Sequence, residues 1–409
     1  MRNSVGRCVA LARVAAVVVV GLGISSPAAA QLGGLKKKLK ASAAPEEPKA
    51  AAPAQPVAPA GGGRGGTIVL TADVLDQLVA GLRAGDAVRE AAAKEDTPAG
   101  RYQRDRAAYE DAQQRCQQAT QTFGTRMAAN ALAVRDARGE WETWWRRDGA
   151  PARWSGEAPL AHRVAWRPGA TGVEWGELQL RGASEAWRTR VVLVRVDPRR
   201  IALSLAPAFT GERTWTVADA GEEAVLALDA GQFGESLPWG WVVSGGREVL
   251  APQYAPLAGA VVVDADGAVR VVAPDRVAAE RERAVAREAF QSYPMLLQDG
   301  AVPAPLVRSG LGVDLEHRDA RLALGTLADG RVVVAITRFD VLGGALGRIP
   351  FGLTAPEMAA VMGALGCRQA LLLDGGISGQ LLVRQAGGGV RTWPGTRSVP
   401  LGLVGQTRR

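Results

Sequence analysis

The sequence predicts a mixed α/β fold: a twisted mixed sheet with flanking helices, preceded by an α-helical extension. Three observations lead there. From about Trp154 onward the chain consists of short β-branched runs separated by turn residues. Near the C-terminus a capped helix lies between two apolar strands, and that order implies a crossover between parallel strands. Ahead of Trp154, a long Ala- and Gln-rich stretch repeats its apolar residues at helical spacing.

Taken in order, Met1–Arg13 carries Arg2, Arg7 and Arg13 but no acid, and Val14–Ile24 is a short apolar run. Ala28-Ala29-Ala30 then supplies small residues of the A-x-A kind, so residues 1–30 read as a signal peptide cleaved after Ala30. The apolar run is short for a membrane span and no later segment reads as one, which predicts a periplasmic or secreted protein. Residues 31–66 form a Lys, Ala, Pro and Gly linker with a basic cluster at Lys36-Lys37-Lys38 and Lys40. Residues 67–148 read as a helical region. Thr71 caps a stripe of Val74, Leu75, Leu78, Val79 and Leu82, and after Pro98 and Gly100 a second helix continues over Arg101–Ala137. A weakly amphipathic segment of this kind pairs with itself or docks on a partner, here one in the cell envelope.

The β-rich unit spans 155–405. Val191–Val196 and Ile201–Leu205 read as strands around Asp197-Pro198. Hairpins are predicted at Gly245-Gly246, Asp266-Gly267 and Asp329-Gly330, and a helix from Asp275 to about Phe290. Thr354-Ala355-Pro356-Glu357 is a capping box; Met358, Val361, Met362 and Leu365 follow at helical spacing, and Gly366 stops the helix. Ala370–Leu373 is then a fully apolar strand.

Composition excludes several functions. With 409 residues, 22% charged and 47% hydrophobic, the chain is ordinary globular material, and its net charge of +8 shows no basic stripe interleaved with aromatics. Nucleic acid is therefore not an expected partner. Only His162 and His317 are present, too few for a multi-His zinc site, and a Ser-His-Asp triad is hard to build from them. His317 could line a site, but a surface-turn imidazole is the plainer reading. Of Cys8, Cys116 and Cys367, the last precedes the apolar strand and reads as a buried free thiol.

Chemistry concentrates in three places. In Leu373-Asp374-Gly375-Gly376-Ile377-Ser378 a carboxylate leaves a buried strand, two glycines let the backbone approach a ligand, and a hydroxyl follows. A tight turn with a solvated Asp explains the same residues equally well. Asp229 also follows an apolar strand, ahead of Gly231 and Phe233. Arg321 opens a strand, where a guanidinium can grip phosphate bidentately or simply be exposed. Trp239 and Trp241 can stack on a sugar or belong to the core.

Together these features resemble the phosphodiester glycosidase family. The likeness lies in Arg321-x-Ala-x-Gly, the helix ending Leu365-Gly366-Cys367, and Leu-Asp-Gly-Gly-x-Ser. It extends to an Asn-x-Gly-x-Phe turn matched by Asp229–Phe233, to Trp239-Gly240, and to Pro294–Leu297 before Asp299-Gly300. The resemblance implies an exported glycosidase that hydrolyses a sugar-1-phosphodiester bond in a polysaccharide or glycoconjugate. It points to Asp374, Asp229 and Arg321 as catalytic positions and to Gly375, Gly376, Ser378, Gly231, Phe233 and Trp239 as substrate-binding ones. On residue chemistry, Arg321 would hold phosphate, Asp374 would act as base or nucleophile, and Asp229 would act as acid or cation ligand. The chain departs from the family pattern at Asp229, where Asn is usual, and at Gly379, where Ser is usual. No cofactor is called for, with a divalent cation at Asp229 as the one candidate. The departures motivate an alternative, a non-catalytic envelope module that binds polysaccharide on the same fold. A scaffold built on the 67–148 helices is a third reading.

Overall fold

The computed structural model describes residues 131–408, apart from 183–187, 212, 235–236, 341–349 and 351. The expected signal peptide, the linker, Cys116 and residues 67–130 of the helical region lie outside these residues.

The fold is mostly β, which corrects the mixed α/β expectation. Among the described residues there are 21 strands and two α-helices. The largest sheet holds nine strands. Its path runs β15 (Met295–Leu297), β18 (Gln369–Leu373), β16 (Leu322–Thr326), β17 (Val332–Phe339), β5 (Arg188–Val196), β4 (Val173–Gly182), β1 (Ala131–Arg135) and β2 (Trp141–Arg146). The short β3 (Arg167–Pro168) pairs with β4 off this path. A second sheet runs β11 (Arg247–Leu250), β10 (Val242–Ser244), β14 (Ala286–Ser292), β12 (Gly259–Asp264) and β13 (Val269–Val272). The third runs β20 (Val390–Trp393), β19 (Leu381–Arg384), β7 (Ala224–Asp229), β21 (Gly402–Thr407) and β6 (Ile201–Ala206). A two-stranded ribbon, β8 (Phe233–Gly234) with β9 (Leu237–Pro238), completes the set.

Every strand pairing among the described residues is antiparallel, so the sheets are not mixed. The reason is local. The Asp329-Gly330 turn folds β17 back beside β16, and β18 pairs with the other edge of β16. The strand–helix–strand segment β17, α2 (Ala355–Ala364), β18 therefore joins two strands of like direction across an intervening one. Two further helical expectations fail. Residues 131–135, read as the end of a helix, form β1, which pairs with β4 through Val134 and Leu180. The helix expected over 275–290 is α1 (Val277–Arg283) alone; Ala284 takes a left-handed conformation, and β14 carries the rest. The hairpins at Gly245-Gly246, Asp266-Gly267 and Asp329-Gly330 form where turn chemistry places them.

The central strands β16, β17 and β18 of the nine-stranded sheet are buried on both faces, with side chains alternating between two layers. Ala323, Val333, Ala335, Ala370 and Leu372 join α2 in one core; Leu322, Leu324, Val332, Val334, Ile336, Leu371 and Leu373 join the other two sheets in a second. Each such Val or Leu side chain contributes about 1.5–3 kcal/mol on burial. Helix α2 is buried along its whole length. Its capping box forms as expected, and Glu357 also meets Arg318 in a bidentate ion pair at 2.7 Å, both side chains nearly sealed from solvent. Cys367 is a buried free thiol whose pKa burial pushes up to about 12. No helix among the described residues is long and apolar enough to cross a membrane.

Removing one partner of a buried ion pair leaves the other charge uncompensated. Glu357→Ala is expected to cost about 3–5 kcal/mol, measured by denaturant unfolding of the full chain. A loss below about 1 kcal/mol would mean the pair does not hold α2 to the 314–321 segment.

Candidate functional site

Three strand ends converge. β18 delivers Asp374 from the double-sided core, β16 begins just after Arg321, and β7 ends at Asp229. The Asp374 backbone N–H donates to the Gly231 carbonyl at 2.9 Å, and Gly376 N–H donates to the Ala320 carbonyl at 2.7 Å. These two bonds tie the turn after β18 to the other two strand ends. A Cβ on Gly375 would stand 2.1 Å from the Ala320 oxygen, and one on Gly231 (φ +73°) 2.7 Å from the Gln291 oxygen. Only glycine fits either place. Arg338 closes the arrangement from β17, donating to the carbonyls of Gly379 at 2.7 Å and Trp393 at 3.0 Å.

The cleft at this junction is walled by Gln232, Trp239, Tyr293, Asp314, His317, Asp319, Arg321, Asp374 and Gly375, with Leu372, Leu373 and Ala355 among its apolar lining. Of the residues singled out in the sequence, Asp374, Arg321, Trp239 and Gly375 meet here. Asp229 lies behind the wall, 1% exposed, its Oδ1 accepting from Gln380 N–H at 2.9 Å and its Oδ2 without a partner. Ser378 is buried and hydrogen-bonds the Asp374 carboxylate. Gly376 packs on the Asp319 carboxylate, whose oxygens lie 3.2 and 3.3 Å from a Cβ built there. Phe233 belongs to a small core cluster, with the Arg397 guanidinium 4.6 Å above its ring. Trp241 is core, its indole N–H donating to Glu248 at 3.0 Å. His317 is not a surface-turn imidazole; it lines the cleft.

Arg321 is more constrained than a free strand-end arginine. Its Nε donates to the Leu353 carbonyl at 2.8 Å and one terminal nitrogen, Nη2, to the His317 carbonyl at 2.6 Å, leaving Nη1 for a ligand. Three of its five N–H groups take part in neither bond. Asp314, Asp319 and Arg397 were not singled out in the sequence. Asp319 lies two residues before Arg321 in an irregular segment, and Arg397 lies in a loop whose packing on Ile377 has no local sequence signal.

The electrostatics follow from crowding. Burial pushes the Asp374 carboxyl up to about 6; the Ser378 hydrogen bond and Arg397 pull it down, and Asp319 pushes it further up. Burial, then the Asp374 charge, raises Asp229 well above the carboxylate range. A buried acid that stays protonated resembles a neutral amide in charge. Burial also lowers the Arg321 pKa, against the opposing pull of Asp319 and Glu357. Among the described residues no three His, Cys, Asp or Glu side chains converge as a metal site.

Residues 222–404, from just before β7 to within β21, match the family model described as phosphodiester glycosidase. That stretch contains the ends of β7, β16 and β18 and all the cleft residues named above. Among solved structures the chain is similar to the catalytic domain of zebrafish N-acetylglucosamine-1-phosphodiester alpha-N-acetylglucosaminidase, auto-inhibited by its pro-peptide. The identity is 15% and the TM-score 0.43, over 62% of this chain and 91% of that one. It is also similar to a hypothetical protein from Synechocystis, with 15% identity and a TM-score of 0.43 over 66% of this chain and 65% of that one. No curated protein sequence matches the chain.

The raised Asp374 carboxyl has a consequence for stability. Between its ordinary value of 3.8 and about 6 the unfolded chain releases this proton first, so rising pH favours unfolding across that window. Asp374→Asn is expected to raise Tm at pH 7.5, with the gain vanishing below pH of about 4. Equal melting of the two proteins at pH 7.5 would remove the burial cost assigned to this carboxylate.

Proposed function

We propose that this protein is an exported phosphodiester glycosidase that hydrolyses a sugar-1-phosphodiester bond in a polysaccharide or glycoconjugate. The observation that carries the reading is Asp374: a half-buried carboxyl with a pKa near 6, in a cleft that also presents Arg321 and Trp239. The family match over the same residues supports it.

Cleaving the sugar C1–O bond of a phosphodiester expels a phosphate monoester, which gains negative charge as it leaves. The reaction therefore needs a base or nucleophile at C1 and positive charge at the phosphate more than a strong acid. Asp374 serves C1, as the base that activates water or as the attacking carboxylate. The free Nη1 of Arg321 holds a phosphate oxygen, in a partly desolvated setting where one charge-assisted contact counts for more than it would in water. Trp239 offers an aromatic face for the sugar ring. Ser378 and the Gly375-Gly376 backbone fix Asp374 rather than touch substrate. Asp229, protonated behind the wall, acts through Asp374 and stands in for the usual neutral Asn.

The Met1–Ala30 pattern supports export, with a mature chain beginning at Gln31 in the periplasm or medium.

The direct test is release of free sugar from sugar-α-1-phosphodiesters by the full-length protein. Asp374→Ala is expected to lower turnover by more than about 100-fold, and the parent should lose activity as pH falls through about 6 as Asp374 becomes protonated. Asp229→Asn is expected to stay within about threefold of the parent, whereas a loss above about tenfold would make Asp229 an ionising participant. A parent that releases no sugar from several such substrates would leave polysaccharide binding without catalysis as the function.

A further inference from the structure

Of the polar groups in the cleft that the reaction above does not use, His317 stands out. His317 Nε2 is buried without a hydrogen-bond partner, 3.6 Å from Asp319 Oδ2. A buried polar atom left unpaired is uncommon and calls for an explanation. The position is held from both sides: the backbone N–H of His317 donates to Asp314 Oδ1 at 3.1 Å, and its carbonyl accepts from Arg321 Nη2 at 2.6 Å. Asp319 is fixed as well, its backbone bridged to Leu353 and its carboxylate packed on Gly376. The imidazole thus shares a rigid segment with the guanidinium assigned to phosphate.

We propose that His317, oriented by Asp319, is the proton donor to the departing phosphate. This rests on the glycosidase reading and adds a catalytic residue to it. In the step, water's oxygen bonds to C1 and one of its protons passes to Asp374. The C1–O bond breaks with its electron pair going to the phosphate oxygen, and the imidazolium gives that phosphate a proton from Nδ1. Neutral His317 then regains a proton from solvent, and Asp374 releases one. Nε2 stays with the Asp319 carboxylate, 3.6 Å away, a separation that a substrate complex is expected to tighten. Asp314, Asp319 and Asp374 supply negative charge around the ring, and Arg321 the opposing positive charge.

Two measurements decide it, both on the full-length protein. The chain has only two histidines, so the proton spectrum contains two imidazole Cε1–H signals, assigned with His162→Gln. Inorganic phosphate is expected to shift the His317 signal and leave that of the exposed His162 unchanged; an unmoved His317 signal overturns the proposal without any reference to activity. In turnover, His317→Ala should lower kcat by about 100-fold with little change in KM, and free imidazole should restore part of it. Asp319→Asn should lower kcat by a smaller factor. A parent that releases sugar while His317→Ala keeps its kcat, or loses it without imidazole rescue, overturns this role alone. A parent that releases no sugar overturns the glycosidase reading and this step with it.

Discussion

Double-sided burial of the central strands of the nine-stranded sheet governs the arrangement of everything else. β16, β17 and β18 have no face open to water, since one set of their side chains meets α2 and the other meets the second and third sheets. A charged residue in the middle of these strands would have to be desolvated on either face at a cost of several kcal/mol. Ionisable groups can therefore appear only where the strands end. Arg321 precedes the first residue of β16, Asp374 follows the last residue of β18, and Asp229 is the last residue of β7. Antiparallel order brings the start of β16 beside the end of β18, so one end of the sheet gathers a guanidinium and a carboxylate from segments distant in sequence.

Crowding then sets their chemistry. Asp374 is close enough to Asp229 and Asp319 for each charge to be felt, and too buried to be screened by water. The deeper carboxyl takes the larger upward shift, and the half-buried one stays near the range where it can exchange protons. The departure from Asn to Asp at position 229 is chemically smaller than the sequence makes it look, because burial suppresses the charge that distinguishes the two residues. Arg338, with its guanidinium on two carbonyls, contributes positive potential to Asp229 while fixing the loop that carries Ser378.

Much of this was legible in the sequence where the signal was local. The capping box at Thr354, the three two-strand hairpins and the Asp374-Gly375-Gly376 turn depend on residues within a few positions of one another, and all formed. What failed was non-local. The apolar strand, helix and apolar strand around α2 read the same whether or not a third strand intervenes; only the pairing of β16 on both its edges makes the sheet antiparallel. A short run such as Ala131–Arg135 carries too little periodicity to separate strand from helix, and β4 decides the matter. In the site, Asp374 and Arg321 were visible because each adjoins an apolar strand. Asp319 and His317 sit in an irregular segment, whose conformation rests on non-local contacts such as the Arg318–Glu357 clamp and the Leu353 bridge as well as on bonds to Asp314 and Arg321.

The β1–β2 hairpin has a bearing on how the protein can be divided. β1 pairs with the Leu180–Gly182 end of β4, beyond the part that β3 covers, and Leu132, Val134 and Trp145 sit in the same core as Leu178 and Leu180. A fragment beginning at Trp154, where the residue pattern changes, would bare that end of the strand and the apolar surface beside it. Exposed strand edges template pairing between molecules. Such a fragment would self-associate, so the shortest well-behaved form of the protein starts before Ala131, and the hairpin is a seam of the sheet, not an appendage to it.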